Sequence, residues 1–239
     1  MTAADPVFRR LRLSGLAATV AVLAVACGTP TSAPPAGTAT TATAEAERTS
    51  TTAPVDLQAM RVDEQTAVKA VDTFWRTHFA EEFGKEYQSP RVEGGYVGAN
   101  GPQCGGEPSV PFNAFYCGPG DFLAWDEQLM EAGYSQIGDA WIYLIIAHEW
   151  GHAIQARLNR DQVSVQAELQ ADCLAGAALQ GAANDGVIKI EPGDSEELAQ
   201  TLAAVADDYP WTNESDHGNA QERTSAFSTG VQGGVSACA

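Results

Sequence analysis

The sequence predicts an α+β fold, mainly helical, with a small β-layer set beside one buried central helix. Three observations predict it. Residues 139–158 are apolar nearly all round and residues 164–184 carry a wide apolar stripe, the patterns of helices packed inside a domain. Residues 63–84 repeat apolar side chains at helical spacing. Residues 85–120 are instead rich in Gly and Pro and hold only short aromatic or β-branched pieces, as a small sheet with tight turns does.

The chain opens on a segment that reads as an address. Arg9, Arg10 and Arg12 precede an apolar run over 13–26, short for a bilayer span and suited to the hydrophobic part of a signal peptide. Residues 1–26 are therefore expected to be a signal peptide. The run ends Leu23, Ala24, Val25, Ala26, Cys27, and small residues before a cysteine resemble a bacterial lipobox, with Ala24 where Leu is usual. Cys27 is the expected lipidation site, which would hold the protein on the outer face of the cell membrane. Plain secretion is the competing outcome. Residues 28–54 are Thr-, Ala- and Pro-rich with almost no large apolar side chain, so residues 27–54 are expected to form a lipidated, disordered tether. One folded domain is expected over 55–239.

With 239 residues, 44% of them hydrophobic, the chain can bury one good core. Its formal net charge of −18 repels phosphates, which excludes nucleic acid as the expected partner.

In the first helix Asp63 is the candidate cap, Val68, Val71, Phe74, Trp75 and Phe79 the candidate core face, and Gly84 the stop. His78 lies on that apolar stripe and reads as a histidine at the edge of the core. Strand-like pieces follow at 91–96, 111–117 and 121–126, where Phe115 and Tyr116 read as core or hairpin residues.

The helix at 139–158 changes character in its middle, where His148, Glu149 and His152 form HExxH. At about 100° per residue the two histidines stand roughly 40° apart and one turn along, so both rings can reach one small cation. This is the metalloprotease arrangement, with zinc as the cation and Glu149 as the general base. The remaining faces carry Ile142, Ile146, Trp150 and Ile154, so the charged set is buried and needs a partner to offset its desolvation.

A catalytic zinc takes three protein ligands and leaves one position for water. The extended pattern HExxHxxGxxH is excluded, because Gln155 and Leu158 stand where its Gly and third His would fall. In the helix at 164–184, helical phase puts Glu168 and Asp172 on one stripe with Val165, Ala175 and Leu179. Glu168 is therefore the candidate third ligand, and Asp172 the acceptor that orients the ring of His148 or His152. Cys173 is a poor competitor, at about 140° around the helix from Glu168.

A further helix is expected after Gly193, with Asp194 as its cap, Glu197 in the capping-box position and Leu198, Leu202 and Val205 facing inward. The last helix is expected over 219–230. His217, just ahead of it, is a candidate hydrogen-bond donor to a developing oxyanion, with helix capping as the plain alternative. Once Cys27 is set aside four cysteines remain, which allow three connectivities. The favoured one joins Cys104 to Cys117, closing the β-region, and Cys173 to Cys238, pinning the C-terminus to the second metal helix. Disulfides fit an exported chain.

Four blocks carry a resemblance: NAFYC at 113–117, HEWGHAIQ at 148–155, ELQADCLAG at 168–176 and HGNAQERTSAFSTG at 217–230. Together they make the region 96–238 resemble the "putative neutral zinc metallopeptidase" family. The resemblance implies a zincin-like metallopeptidase domain, one Zn2+ ion and a peptide or protein substrate. The expected function is thus a secreted or membrane-anchored, zinc-dependent peptidase. The alternative is a non-catalytic, zinc-stabilised lipoprotein serving as scaffold or binding module. Glu149 separates the two, because a structural zinc site has no use for an acid beside an open position and is usually closed by a fourth protein ligand. Oligomeric state leaves no mark in the sequence.

Overall fold

The computed structural model describes residues 55–160, 164–207 and 217–238. The signal peptide, the Cys27 anchor and the tether expected over 1–54 lie outside the described residues. Among the described residues the chain runs α1 (Leu57–Phe83), β1 (Arg91–Tyr96), β2 (Ala114–Cys117), β3 (Phe122–Asp126), α2 (Glu127–Gln136), α3 (Ala140–Leu158), α4 (Val165–Asn184), α5 (Asp194–Ala204) and α6 (Ala220–Gly233), ending in a 3-10 turn, Val235–Cys238. The architecture is mainly helical with a small three-stranded sheet, the α+β zincin-like arrangement that the sequence predicts.

α1 begins earlier than expected. Asp56, not Asp63, is its cap, accepting the backbone N–H groups of Gln58 and Ala59. The reason is packing: Met60 and Glu64 are buried, so the inward face extends back past Asp63, whose carboxylate accepts instead from the hydroxyl of Tyr134 on α2. Gly84 ends the helix in the left-handed conformation (φ 63°), as expected. His78 sits at the edge of the core with its ring nitrogen 2.7 Å from Asp185.

The sheet has the order β1-β3-β2, with β3 parallel to β1 and antiparallel to β2. All five residues of β3 are buried, as suits its central place. β2 is shorter than the strand expected over 111–117, because Phe112 takes a positive φ of 58° and the chain turns there. Asp126 stabilises that turn, its Oδ2 accepting from the N–H groups of both Phe112 and Gly98. Asp126 also caps α2 through the N–H of Gln128. No helix was expected at α2, whose ten residues are mostly polar and include Gly133; Gly133 is buried there, where a Cβ would stand 2.0 Å from ring carbons of Trp141.

α5 departs from the expected capping. Gly193 occupies the cap position with no side-chain bond, and Asp194 is the first helical residue, its carboxylate accepting from Glu191 N. Glu197 is drawn to α3 instead, where it accepts the N–H of Ala140. α6 runs three residues past the expected end at Gly230, and Asn219 and Glu222 form a capping box at its start. α3 passes through the middle of the core: Ile142, Leu144, Ile146, Trp150 and Ile154 are each under 2% exposed.

Candidate metal centre

The centre exists because α3 and α4 come unusually close at one point. Gly151, immediately before His152, faces Ala171, and a Cβ built on it would stand 2.9 Å from the Ala171 Cα and carbonyl oxygen. Only glycine lets the helices meet there without a shift. Ala171 in turn lies between Glu168 and Asp172, so the contact brings both acids against both histidines.

Nε2 of His148 is 3.1 Å from one oxygen of Glu168, and Nε2 of His152 is 3.5 Å from the other. The two rings stand almost perpendicular, at 89°, with centroids 4.9 Å apart. One donor atom from each of His148, His152 and Glu168 lies within 4.8 Å of the other two. Two ligands about 2.0–2.1 Å from a tetrahedral zinc stand roughly 3.3 Å apart, so the two nitrogen-to-oxygen separations suit that ion.

The outer nitrogens of the rings are each held. Nδ1 of His148 is 2.8 Å from Oδ1 of Asp172, and Nδ1 of His152 is 2.8 Å from Oε1 of Gln155. Each acceptor places the proton on Nδ1 and leaves the Nε2 lone pair facing inward. Gln155 is fixed by its own amide, which donates to the carbonyl of Ala167 at 2.6 Å. Asp172, wholly buried, is gripped by Arg223 of α6 through Nε at 2.8 Å and Nη2 at 2.9 Å. Glu149 points to the sheet, where one of its oxygens accepts the N–H of Tyr116 on β2 at 2.9 Å.

Charge makes the case for a dication. Three carboxylates, Glu149, Glu168 and Asp172, face one guanidinium, Arg223, leaving a formal charge of minus two in a largely buried space. Without an ion the histidines answer that deficit: burial alone would lower the pKa of His148, but Asp172 and then Glu168 overcome it and hold it well above the usual histidine range. Burial alone would likewise raise Glu168, yet its bonds to His148 and His152 keep it below the usual carboxylate range. A divalent ion removes the same deficit with both rings neutral. The residues therefore fit zinc in number, spacing, donor type and charge.

His217 lies apart from these bonds. Its side chain is half exposed, and it meets Asp207, which accepts its backbone N–H and lies 3.8 Å from its Nδ1. The cysteines pair as Cys104 with Cys117 and Cys173 with Cys238. Three participants escaped the sequence reading. Gln155 stands three residues after His152, one helical turn along and on the same side, and that spacing is a usable signal. Arg223 falls inside the HGNAQERTSAFSTG block as a charged residue four before Phe227 on the inward face of its helix. The Tyr116 amide has no signal in any side chain.

An HExxH helix joined by an acid from the next helix, in an α+β zincin-like fold, forms a group that could hold a metal ion. The chain belongs to the family described as "Putative neutral zinc metallopeptidase", whose model matches residues 10–239. Among curated proteins it is similar to the "Uncharacterized protein YpfJ" of Escherichia coli strain K12 and of Escherichia coli O6:H1 strain CFT073, at 31% identity over 191 residues in each case. The match covers 67% of this chain and 63% of that relative, so the chain spans less than two thirds of the relative's length. No solved structure matches the chain.

Proposed function

We propose that the protein is an exported zinc peptidase with one metal ion, hydrolysing peptide bonds by attack of a water whose proton passes to Glu149. The observation that carries this reading is the convergence of His148, His152 and Glu168, with the neighbouring acid Glu149 outside that group and held by the Tyr116 amide. Zinc held by those three side chains would bring the pKa of a bound water toward neutrality and polarise the scissile carbonyl. Glu149 accepts the proton as the water attacks and returns it to the departing amine. The Tyr116 amide engages one oxygen of Glu149 and so steadies the carboxylate while the other oxygen works. Asp172 and Gln155 keep the two rings in one tautomer and orientation throughout.

His217 would contribute to this scheme by donating a hydrogen bond to the oxyanion. Unchanged turnover and zinc content in His217→Ala would remove it from the mechanism. Export is supported by the apolar segment at 13–26 and by two disulfides, which persist in oxidising compartments. Lipidation at Cys27 would tether the domain to the outer face of the cell membrane. Cys27→Ala releases it if so, and continued membrane partitioning would refute the anchor.

The test of the function is Glu149→Gln assayed on a casein-type protein substrate, with a chelator arm. Hydrolysis should fall by at least about 100-fold, the lower end of general-base contributions, while zinc content stays at one equivalent per chain; His148→Ala should lose both. Full hydrolysis by Glu149→Gln, or by chelated wild type, would overturn the proposal.

A further inference from the structure

Arg223 is 2% exposed and stands on the last helix, 51 positions beyond the acid it grips. A buried guanidinium has five donors and no acceptor, so its position is set by the acceptors around it. Nε and Nη2 go to the two oxygens of Asp172, and Nη1 goes to the carbonyl of Val205 at the end of α5, at 2.7 Å. With both its oxygens engaged by one rigid fork, Asp172 cannot turn without losing a bond. Oδ1 of Asp172 then offers its remaining lone pair to Nδ1 of His148.

Reach depends on backbone contact between α4 and α6. A Cβ on Gly230 would lie 1.8 Å from the carbonyl oxygen of Cys173, and one on Gly176 would lie 2.2 Å from that of Phe227. Two glycines thus seat α6 directly on α4, close enough for a side chain of α6 to enter the layer of Asp172.

We infer that Arg223 is a positioning residue of the metal centre, and that through it the α5–α6 arm governs how tightly His148 holds the ion. The inference rests on the reading of His148, His152 and Glu168 as zinc ligands. Its sign is opposite to that of simple charge repulsion. A cation beside a dication weakens binding, so removing Arg223 would tighten zinc if Coulomb repulsion ruled. If positioning rules, removal frees Asp172, His148 loses its fixed tautomer, and zinc binds more weakly by roughly 10- to 100-fold, the usual loss when an outer hydrogen-bond partner is removed.

Zinc affinity is measured on the metal-free full chain by competition with a chromogenic chelator, after circular dichroism has shown each variant folded. Arg223→Met should weaken zinc by roughly 10- to 100-fold, and Arg223→Lys by less, since one ammonium keeps the charge but cannot fork both oxygens. In an Asp172→Asn background Arg223→Met should add no further loss, because its effect travels through the carboxylate. Wild-type or tighter affinity in folded Arg223→Met, or losses that add in the double variant, would overturn the inference. Should the methionine variant fail to fold, Arg223→Lys decides alone, and wild-type affinity there is the overturning result. A wild-type chain that binds no zinc would refute the ligand reading itself, an outcome distinct from all of these.

Discussion

Single residues show where burial has been spent on chemistry and where on packing. Glu64 is a buried acid outside the metal centre, with Trp125 Nε1 donating to it at 2.9 Å. Burial, and then the nearby Glu127, raise its pKa from 4.5 to about 7. For an acid raised in the folded state the sign is plain. Between about pH 4.5 and about pH 7 the unfolded chain ionises this group while the native chain still holds its proton, so native stability falls across that window as pH rises. Glu64→Gln keeps an acceptor for the indole and cannot ionise. Urea midpoints at pH 5 and pH 8 should therefore differ less in this variant than in wild type, and an equal difference in both would refute the assignment. At the metal centre the sequence told more than usual, because His148, Glu149 and His152 occupy one helix and the spacing alone specifies their face. Glu168 and Asp172 were legible by phase on a second helix. Arg223 was not, since its partner lies 51 positions away and only the packing of α6 on α4 makes them neighbours.

At the scale of elements, the candidate metal centre depends on two glycine contacts. Gly151 admits α4 to α3, and Gly230 with Gly176 admits α6 to α4. A methyl group on Gly230 meets backbone, which cannot swing aside as a side chain can, so α6 must move outward. Gly230→Ala should cost roughly 1–3 kcal/mol of stability, the usual penalty of overpacking, and should also weaken zinc by drawing Arg223 off Asp172. Denaturant titration of the metal-free protein and chelator competition measure the two effects separately. A loss of stability with unchanged zinc affinity would show that α6 holds the fold but not the site. Helix periodicity could predict α3, α4 and α6 but not which faces would meet, because a glycine contact is silent in an apolar pattern. The same limit explains α1 and α5: the residues best suited to cap them, Asp63 and Asp194, were engaged by Tyr134 and by Glu191.

Over the whole molecule, the chain is a helical frame that brings three separate stretches to one buried point: the HExxH helix, the acidic helix that follows it, and the C-terminal arm. The Cys173–Cys238 disulfide ties the last of these back to α4, five residues after Glu168. The sheet contributes from the other side, its edge strand β2 lending the Tyr116 amide to Glu149. The small sheet positions that strand; its presence was legible in the sequence, but its strand order cannot be read from residue spacing, because β1 pairs with β3 across an intervening strand of sequence. The central claim concerns what occupies the shared point. X-ray absorption at the zinc edge of the reconstituted protein tests it directly: two imidazole nitrogens with the remaining ligands oxygen is the predicted first shell. A sulfur ligand, or fewer than two imidazoles, would contradict it.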